Sequence, residues 1–318
     1  MLKYSIRRLI QLAFALFLIA TATFFLTNAT PGDPLTERAM QLSDDVKANL
    51  YASYGLDKPL GERYVITMVS MLHGNFGESV VHTGQTIQSM LADRLPVSAR
   101  LGIQTMLFGV LLGLVLGVIA AVKRGTWIDR LIVIMAVLFI SAPNLIIGLL
   151  LQRYFTGVWK WFPTIGWPSG KELWFGGWKY TILPMLAGGL GYIASYSRLL
   201  KASILDVIGQ DYIMTAESKG LSPLRIVTHH ILRNSFIPII TRLPITVGMC
   251  ITGSFMIEKI FSIPGIALYF VEAVSNYDLS IVLGETVFLA LIYVTAIYAT
   301  DLLYTVVDPR IQVGGGKH

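Results

Sequence analysis

The feature that most constrains this chain is a series of apolar runs carrying few or no charges. Each is long enough to cross hydrocarbon, since ~20 helical residues at ~1.5 Å each span the ~30 Å core of a bilayer. They occupy residues 9–29, 101–122, 131–152, 180 to about 200, 236–257 and about 281–307. Helices of a soluble bundle need a polar face, and these runs lack one. Composition agrees: the chain is 54% hydrophobic and 14% charged, against ~45–50% and ~25% in soluble domains. The expected fold is all-α, a polytopic membrane protein of six transmembrane helices with both termini on one side. The first run follows Lys3, Arg7 and Arg8 as a secretory signal would, but no small-residue cleavage site closes it, so a retained span is expected.

Basic residues set the orientation. Lys3, Arg7, Arg8, then Lys123, Arg124, Arg130, then Arg198, Lys201, Lys219, Arg225, Arg233, and finally Arg310 and Lys317 all fall on one side of a six-span arrangement. By the positive-inside rule that side is the cytoplasm, which places the chain in the cell membrane with both termini cytoplasmic. The net charge of +6 is thereby explained by topology, and no nucleic-acid partner is expected. The organisation reads as a cytoplasmic N-terminus and first helix over 1–29, and an extracellular segment over 30–97. A five-helix core follows over 98–310, with a cytoplasmic loop at 201–235 and a flexible tail at 311–318. Trp159, Trp161, Trp167, Trp174 and Trp178 mark an external aromatic belt or a packed external cap, two readings that can both hold. Gly109, Gly113 and Gly117 recur every four residues on one helix face, where a second helix can approach closely.

Catalytic chemistry is not expected. No GxxxxGK[ST] cradle for ATP phosphates occurs, nor an HExxH zinc motif. His229 and His230 project ~100° apart on a helix, which suits chelation badly. Cys250 is the single cysteine and sits in an apolar run. Polar groups within the spans are few: Asn144, Arg242, Glu285 and Asp301. Arg242 and Asp301 lie at similar depth, each ~9 Å from the cytoplasmic boundary, and are an expected intramembrane ion pair, the alternative being that Arg242 snorkels and Asp301 meets water. No cofactor or metal is expected in this chain.

The informative segment lies between the fourth and fifth spans. Residues 212–219 predict a short helix stopped by Gly220, after which Ser222 can cap a second helix with Pro223 in its first position. The two form a rigid knob on the cytoplasmic face.

At these residues the sequence resembles the permease subunits of binding-protein-dependent ATP-binding-cassette importers, in the oligopeptide, dipeptide and nickel branch. Met214, Thr215 and Ala216 stand where Glu-Ala-Ala stands in the family's cytoplasmic loop, and Gly220 stands at its glycine. Met214 departs from the acidic residue of that pattern. Pro31-Gly-Asp-Pro34, Tyr54-Gly-Leu-Asp-Lys-Pro59, Gly74-Asn-Phe-Gly77, Ile257-Glu-Lys-Ile-Phe-Ser-Ile-Pro-Gly265, Leu232-Arg-Asn-Ser235 and Asp308-Pro-Arg310 are similar to that branch as well. The resemblance implies a type I importer permease fold and partners: a second, homologous permease subunit, two cytoplasmic ATPase subunits and an external substrate-binding protein. It implies a peptide cargo, with dipeptides or nickel chelates as alternatives. It also implies an ATPase-coupling loop containing Thr215, Ala216, Glu217, Lys219, Gly220, Leu221, Ser222, Pro223 and Arg225, in which Ala216 and Gly220 permit close approach. ATP hydrolysis would then belong to the partners. A membrane scaffold without transport and a secondary transporter are the rival classes. Residues 260–280 are expected to form a short external interfacial helix that helps gate the path and meets the binding protein.

Overall fold

The computed structural model describes residues 2–30, 35, 43–53, 55–82, 84–251 and 253–307. Pro31–Pro34, Tyr54, Asp308–Arg310 and the 311–318 tail lie outside the described residues, as do the side chains of 300–307, Asp301 included. The described residues are helices and turns, and the β pairing among them is one isolated antiparallel bridge, Glu78 to Thr86.

The helices are α1 (Leu2–Ala29), α2 (Asp44–Ser53), α3 (Leu60–Leu72), α4 (Ile87–Val122), α5 (Trp127–Ser141), α6 (Asn144–Val158), α7 (Trp178–Ile208), α8 (Asp211–Ser218), α9 (Pro223–Ser235), α10 (Ile237–Ile251), α11 (Phe255–Ile260), α12 (Ile266–Ser275) and α13 (Leu279–Val307). The latter part of α6, Gln152–Val158, and the middle of α9, Ile226–Leu232, are wound as π-helix. α1, α4 and α13 are each long and apolar enough to cross a bilayer. The α5–α6 and α9–α10 pairs meet the same test when each bent pair is taken as one span. α7, at 31 residues, has the length but more polar residues, and with it there are six candidate crossings.

Two expected spans are not the single helices their sequences suggested. The 131–152 run breaks between α5 and α6, whose axes turn by 100°. The cause is Pro143: the residue before a proline is driven out of the α region, and Ala142 sits at φ −79°, ψ 124°. The 236–257 run ends its main helix at Ile251, and Gly253 in the left-handed region at φ 78° redirects the chain into α11. α9 and α10 meet at 43°, where Pro238 removes a backbone donor and crowds the carbonyl four residues back.

The chain forms two compact units, residues 1–97 with 264–318, and residues 98–263. In the first, Ile87, Met90 and Leu91 of α4 pack with Ile266 and Ala273 of α12 and Ile281 of α13. A short helix was expected within residues 260–280, and α12 lies there. Asp278, 1% exposed, fixes this unit's loop: it accepts from Ser79 Oγ at 2.5 Å and from the N–H groups of Val81 and Val80 at 3.1 and 3.3 Å, and it caps α13 through the Ile281 N–H at 3.3 Å.

In the second unit α4, α7 and α10 come within backbone contact. A Cβ on Gly109 would stand 2.5 Å from Tyr192 Cβ and 2.6 Å from the Gly189 carbonyl oxygen, one on Gly113 2.9 Å from the Ile193 oxygen, and one on Gly117 2.8 Å from the Ser197 oxygen. The glycine stripe is therefore the α4 face against α7. The tryptophan segment has a packed part and an exposed part. Arg100 donates to the carbonyls of Glu172 at 2.8 Å, Gly176 at 2.5 Å and Leu173, and lies 5.6 Å from the Trp167 ring centroid. Trp159, Trp161, Trp174 and Trp178 remain exposed, as an interface belt requires.

Candidate functional site

The segment between α7 and α10 has a cap that defines it. α8 ends at Ser218, and Gly220 follows at φ 72°. The Leu221 N–H reaches back to the Ala216 carbonyl at 3.3 Å and the Gly220 N–H to the Glu217 carbonyl at 2.9 Å. These are the paired bonds of a Schellman motif, which satisfies carbonyls a helix end would leave orphaned and needs a residue tolerant of the left-handed region. Ser222 then stands extended before Pro223 at the start of α9. Its hydroxyl makes no capping bond, contrary to expectation, so the start of α9 rests on proline's fixed φ and on the Ser222 carbonyl, which accepts from the Ile226 N–H at 3.1 Å.

The helix faces settle what each residue can do. Ile213 and Ala216, at 3% and 5% exposure, point into a core shared with Leu200 and Ile204 of α7, Ile226 and Ile231 of α9 and Ile239 of α10. Ala216 therefore anchors α8 to its own chain and is not a surface for close approach by another subunit. Met214, Thr215, Glu217, Ser218, Lys219 and Gly220 are exposed, as are Pro223 and Arg225; Leu221 and Ser222 are half-buried or exposed at the turn, with Leu221 packed on the same core. Asn234 Nδ2 donates to Tyr212 Oη at 3.1 Å, and Ser235 Oγ to the Ile231 carbonyl at 2.8 Å. α8 is thus tied to α7 through the core and to the helix that runs into α10 through both core and hydrogen bond.

A second contact on this face was not anticipated. Lys201 of α7 meets Asp129 of α5 at 2.5 Å, with the two side chains 19% and 10% exposed, and Asp129 also accepts from the Gly125 N–H at 3.1 Å. The available signal was an acid placed among Lys123, Arg124 and Arg130 at the start of a span.

The second unit also holds a cavity of about 490 Å³ bounded by α4, α5, the start of α6, α7, α10 and α11. It runs from Arg242, near the start of α10, to Ile257 in α11, and Asn144, Tyr192, Tyr196 and Thr246 contribute its polar lining. Tyr196 Oη and Thr246 Oγ1 are 2.6 Å apart, and the Arg242 guanidinium lies 5.7 Å from the Tyr196 ring centroid, a cation–π arrangement. Of the four intramembrane polar residues, Asn144 and Arg242 therefore share this cavity. Glu285 is 1% exposed in the other unit, where it lines a small cavity with Arg94 and Tyr269. Asp301, the expected partner of Arg242, lies outside the described residues. The tyrosines and threonine went unremarked in the sequence because hydroxyls inside an apolar run are equally common as packing residues.

The family described as "Binding-protein-dependent transport system inner membrane component" matches residues 113–313, and its N-terminal companion matches residues 1–102. The chain is 39% identical to the dipeptide transport system permease protein DppB of Bacillus subtilis over 313 residues, 98% of this chain and 99% of that protein. It is 36% identical to the oligopeptide transport system permease protein OppB of Salmonella typhimurium over 314 residues, 98% of this chain and all of that one. The apolar helices, the membrane-embedded cavity and these matches have one explanation: the chain is a permease subunit belonging to the family of inner-membrane components of binding-protein-dependent transport systems.

Proposed function

We propose that this chain forms half of the translocation path of an ATP-driven peptide importer. It pairs with a second, homologous permease subunit, is driven by two cytoplasmic ATP-binding-cassette subunits that carry out hydrolysis, and receives cargo from an external substrate-binding protein. Both termini and the α8–α9 segment face the ATPases. The peptide cargo is favoured by the names of the two relatives, one a dipeptide and one an oligopeptide permease, at 39% and 36% identity over nearly the whole chain.

The observation that carries the coupling role is the double attachment of α8. Its exposed face, Met214, Thr215 and Ser218 with Lys219 at its end, is open to a partner, while Ile213 and Ala216 lock it to α7 and α9. Closure of an ATPase dimer pushing on that face is transmitted to α7 through the core and to α10 through α9, so the walls of the cavity move with the ATPase. Gly220 permits the tight turn between α8 and α9, and Pro223 and Pro238 fix the directions in which the chain leaves it. The cavity lined by Arg242 and Tyr196 is the portion of the path this subunit contributes.

Two measurements test the reading. A strain lacking the chain should lose uptake of radiolabelled di- and tripeptides and regain it with the wild-type chain; restored uptake of a nickel chelate without peptide uptake would reassign the cargo. Cysteines at Ser218 and Thr215 should crosslink to the ATPase subunit. Failure at both, in an intact complex, would contradict the coupling role.

A further inference from the structure

A cavity of about 400 Å³ in the first unit lies between α3, the end of α1 and the start of α13. Its depth is set by its walls. Thr27 and Asn28 belong to the last turn of α1, and Leu279 and Leu283 to the first turns of α13, so it sits where two membrane spans reach the headgroup layer. Phe24, Ile66 and Leu283 are its apolar wall, and Arg63 and Lys58 are its cations. Among the described residues lining it none is acidic.

α3 gives this cavity its setting. Val65, Val69 and Leu72, at i, i+4 and i+7, form one apolar face and are 57%, 48% and 86% exposed on the chain. On another face Tyr64 stacks on Phe25 with centroids 5.5 Å apart, meets Phe24 edge-on at 5.4 Å, and pairs with Thr21 Oγ1 at 2.9 Å. Thr21 lies eight residues before the end of α1, ~12 Å down the span at ~1.5 Å per residue. A helix held there by its tyrosine, with a continuous apolar face turned outward, lies in the membrane interface and not in water. Arg63 is pinned nearer the end of the span, at the level of the cavity: its Nη2 donates to Asn28 Oδ1 at 2.7 Å, which engages one of five N–H donors in the guanidinium fork. Lys58 pairs with Glu62 at 2.8 Å, both side chains being 41% and 53% exposed, a contact weak enough to yield to a stronger anion.

We propose that this cavity binds the phosphate headgroup of an anionic phospholipid, with Arg63 as the bidentate contact, Lys58 as the second cation and one acyl chain running along Phe24, Ile66 and Leu283. A cationic rim over an apolar wall at headgroup depth complements a lipid's phosphate and glycerol together, which neither a free anion nor a protein surface does. The proposal rests on membrane insertion of α1 and α13 and is independent of the cargo, so its failure would leave the peptide-import reading intact, and the converse.

The test uses the chain purified with its partner subunits in neutral detergent. Native mass spectrometry with phosphatidylglycerol and phosphatidylcholine as probes should show phosphatidylglycerol retained about tenfold over phosphatidylcholine, and Arg63→Gln with Lys58→Gln should abolish that preference while the complex's thermal midpoint in phosphatidylcholine stays put. If the double variant assembles poorly, Lys58→Gln alone, at an exposed position, should still lower the preference severalfold. In vesicles of the two lipids with brominated chains, a fluorophore on Val69→Cys should be quenched. Equal retention of both lipids by the wild type would overturn the proposal. Displacement of phosphatidylglycerol by inorganic phosphate would assign the site to a free anion, and an unquenched fluorophore shielded by a partner subunit would assign the face to a protein contact; either result also overturns it.

Discussion

α1 and α7 have nearly the same length, 28 and 31 residues, and opposite surroundings. In α1, Leu9, Phe14 and Leu26 are 56%, 60% and 69% exposed, so its outward side chains meet lipid or a neighbouring subunit. In α7, Leu183, Ala187, Ala194, Tyr196 and Leu200 are at 2% exposure or below, and the helix carries glycines, which α1 lacks, together with serines and tyrosines along its middle, where α1 has only Tyr4 and Ser5 at its start. Where the surrounding solvent is hydrocarbon, apolarity marks a helix as inserted but supplies no force between helices; small residues and hydrogen bonds do that. The helix more evident as a span is thus the more exposed of the two, packed within this chain mainly along α13, and the helix less evident as one organises the cavity, the Lys201–Asp129 contact and the base of α8.

The sharpest way to break this contrast is to fill the α4–α7 contact. Gly109→Leu places atoms 2.5 Å from Tyr192 Cβ and against the Gly189 backbone, neither of which is the flexible end of a side chain. It should cost about 3 kcal/mol and remove most of the protein from the membrane fraction on immunoblots. Leu111→Ala, two residues on and 61% exposed, should leave abundance unchanged.

Next in size is the clasp between Lys201 in the second half of α7 and Asp129 of α5. Lys201→Met strands Asp129 and should destabilise the complex by about 3 kcal/mol in thermal unfolding. Adding Asp129→Asn should recover more than half of that loss, and a double variant as unstable as the single would show that the pair is not the cause. Arg242→Gln removes the charge lining the cavity together with a cation–π contact worth about 1 kcal/mol; peptide uptake should fall severalfold while abundance holds, and unchanged uptake would remove Arg242 from the path. Smallest of all, Leu9→Ala and Leu26→Ala in α1 should shift thermal stability by no more than about 0.5 kcal/mol.

The same contrast explains what could be seen in the sequence. α1, α4 and α13 were evident because lipid-facing helices are apolar all round, and the stripe Gly109, Gly113, Gly117 was evident because close approach demands missing side chains. The stop at Gly220 followed from local backbone chemistry alone. The turn at Pro143 was present in the sequence but masked by the apolar residues on both sides, which satisfy a hydropathy window whether the helix continues or bends. The inward face of Ala216 was not legible, because eight residues of helix do not reveal which side the rest of the chain covers. Asp129 and Lys201 lie 72 residues apart, and their meeting depends on how α5 packs against α7. Helix α3 carries an amphipathic pattern whose apolar face points away from its own chain, so its meaning depends on the membrane around it.

The central claim is that α8, stopped by Gly220, transmits ATPase closure to the spans. A Cβ at Gly220 would meet nothing within 4 Å, so substitutions there act through the backbone alone, with φ at 72° disfavouring a β-branched residue by about 1–2 kcal/mol and asparagine far less. The direct measurement is ATP-driven uptake of labelled peptide by the reconstituted complex, with ATP hydrolysis recorded in parallel. Gly220→Asn should transport like the wild type, and Gly220→Val should assemble and hydrolyse ATP yet lose most uptake. Wild-type uptake by Gly220→Val would contradict the account.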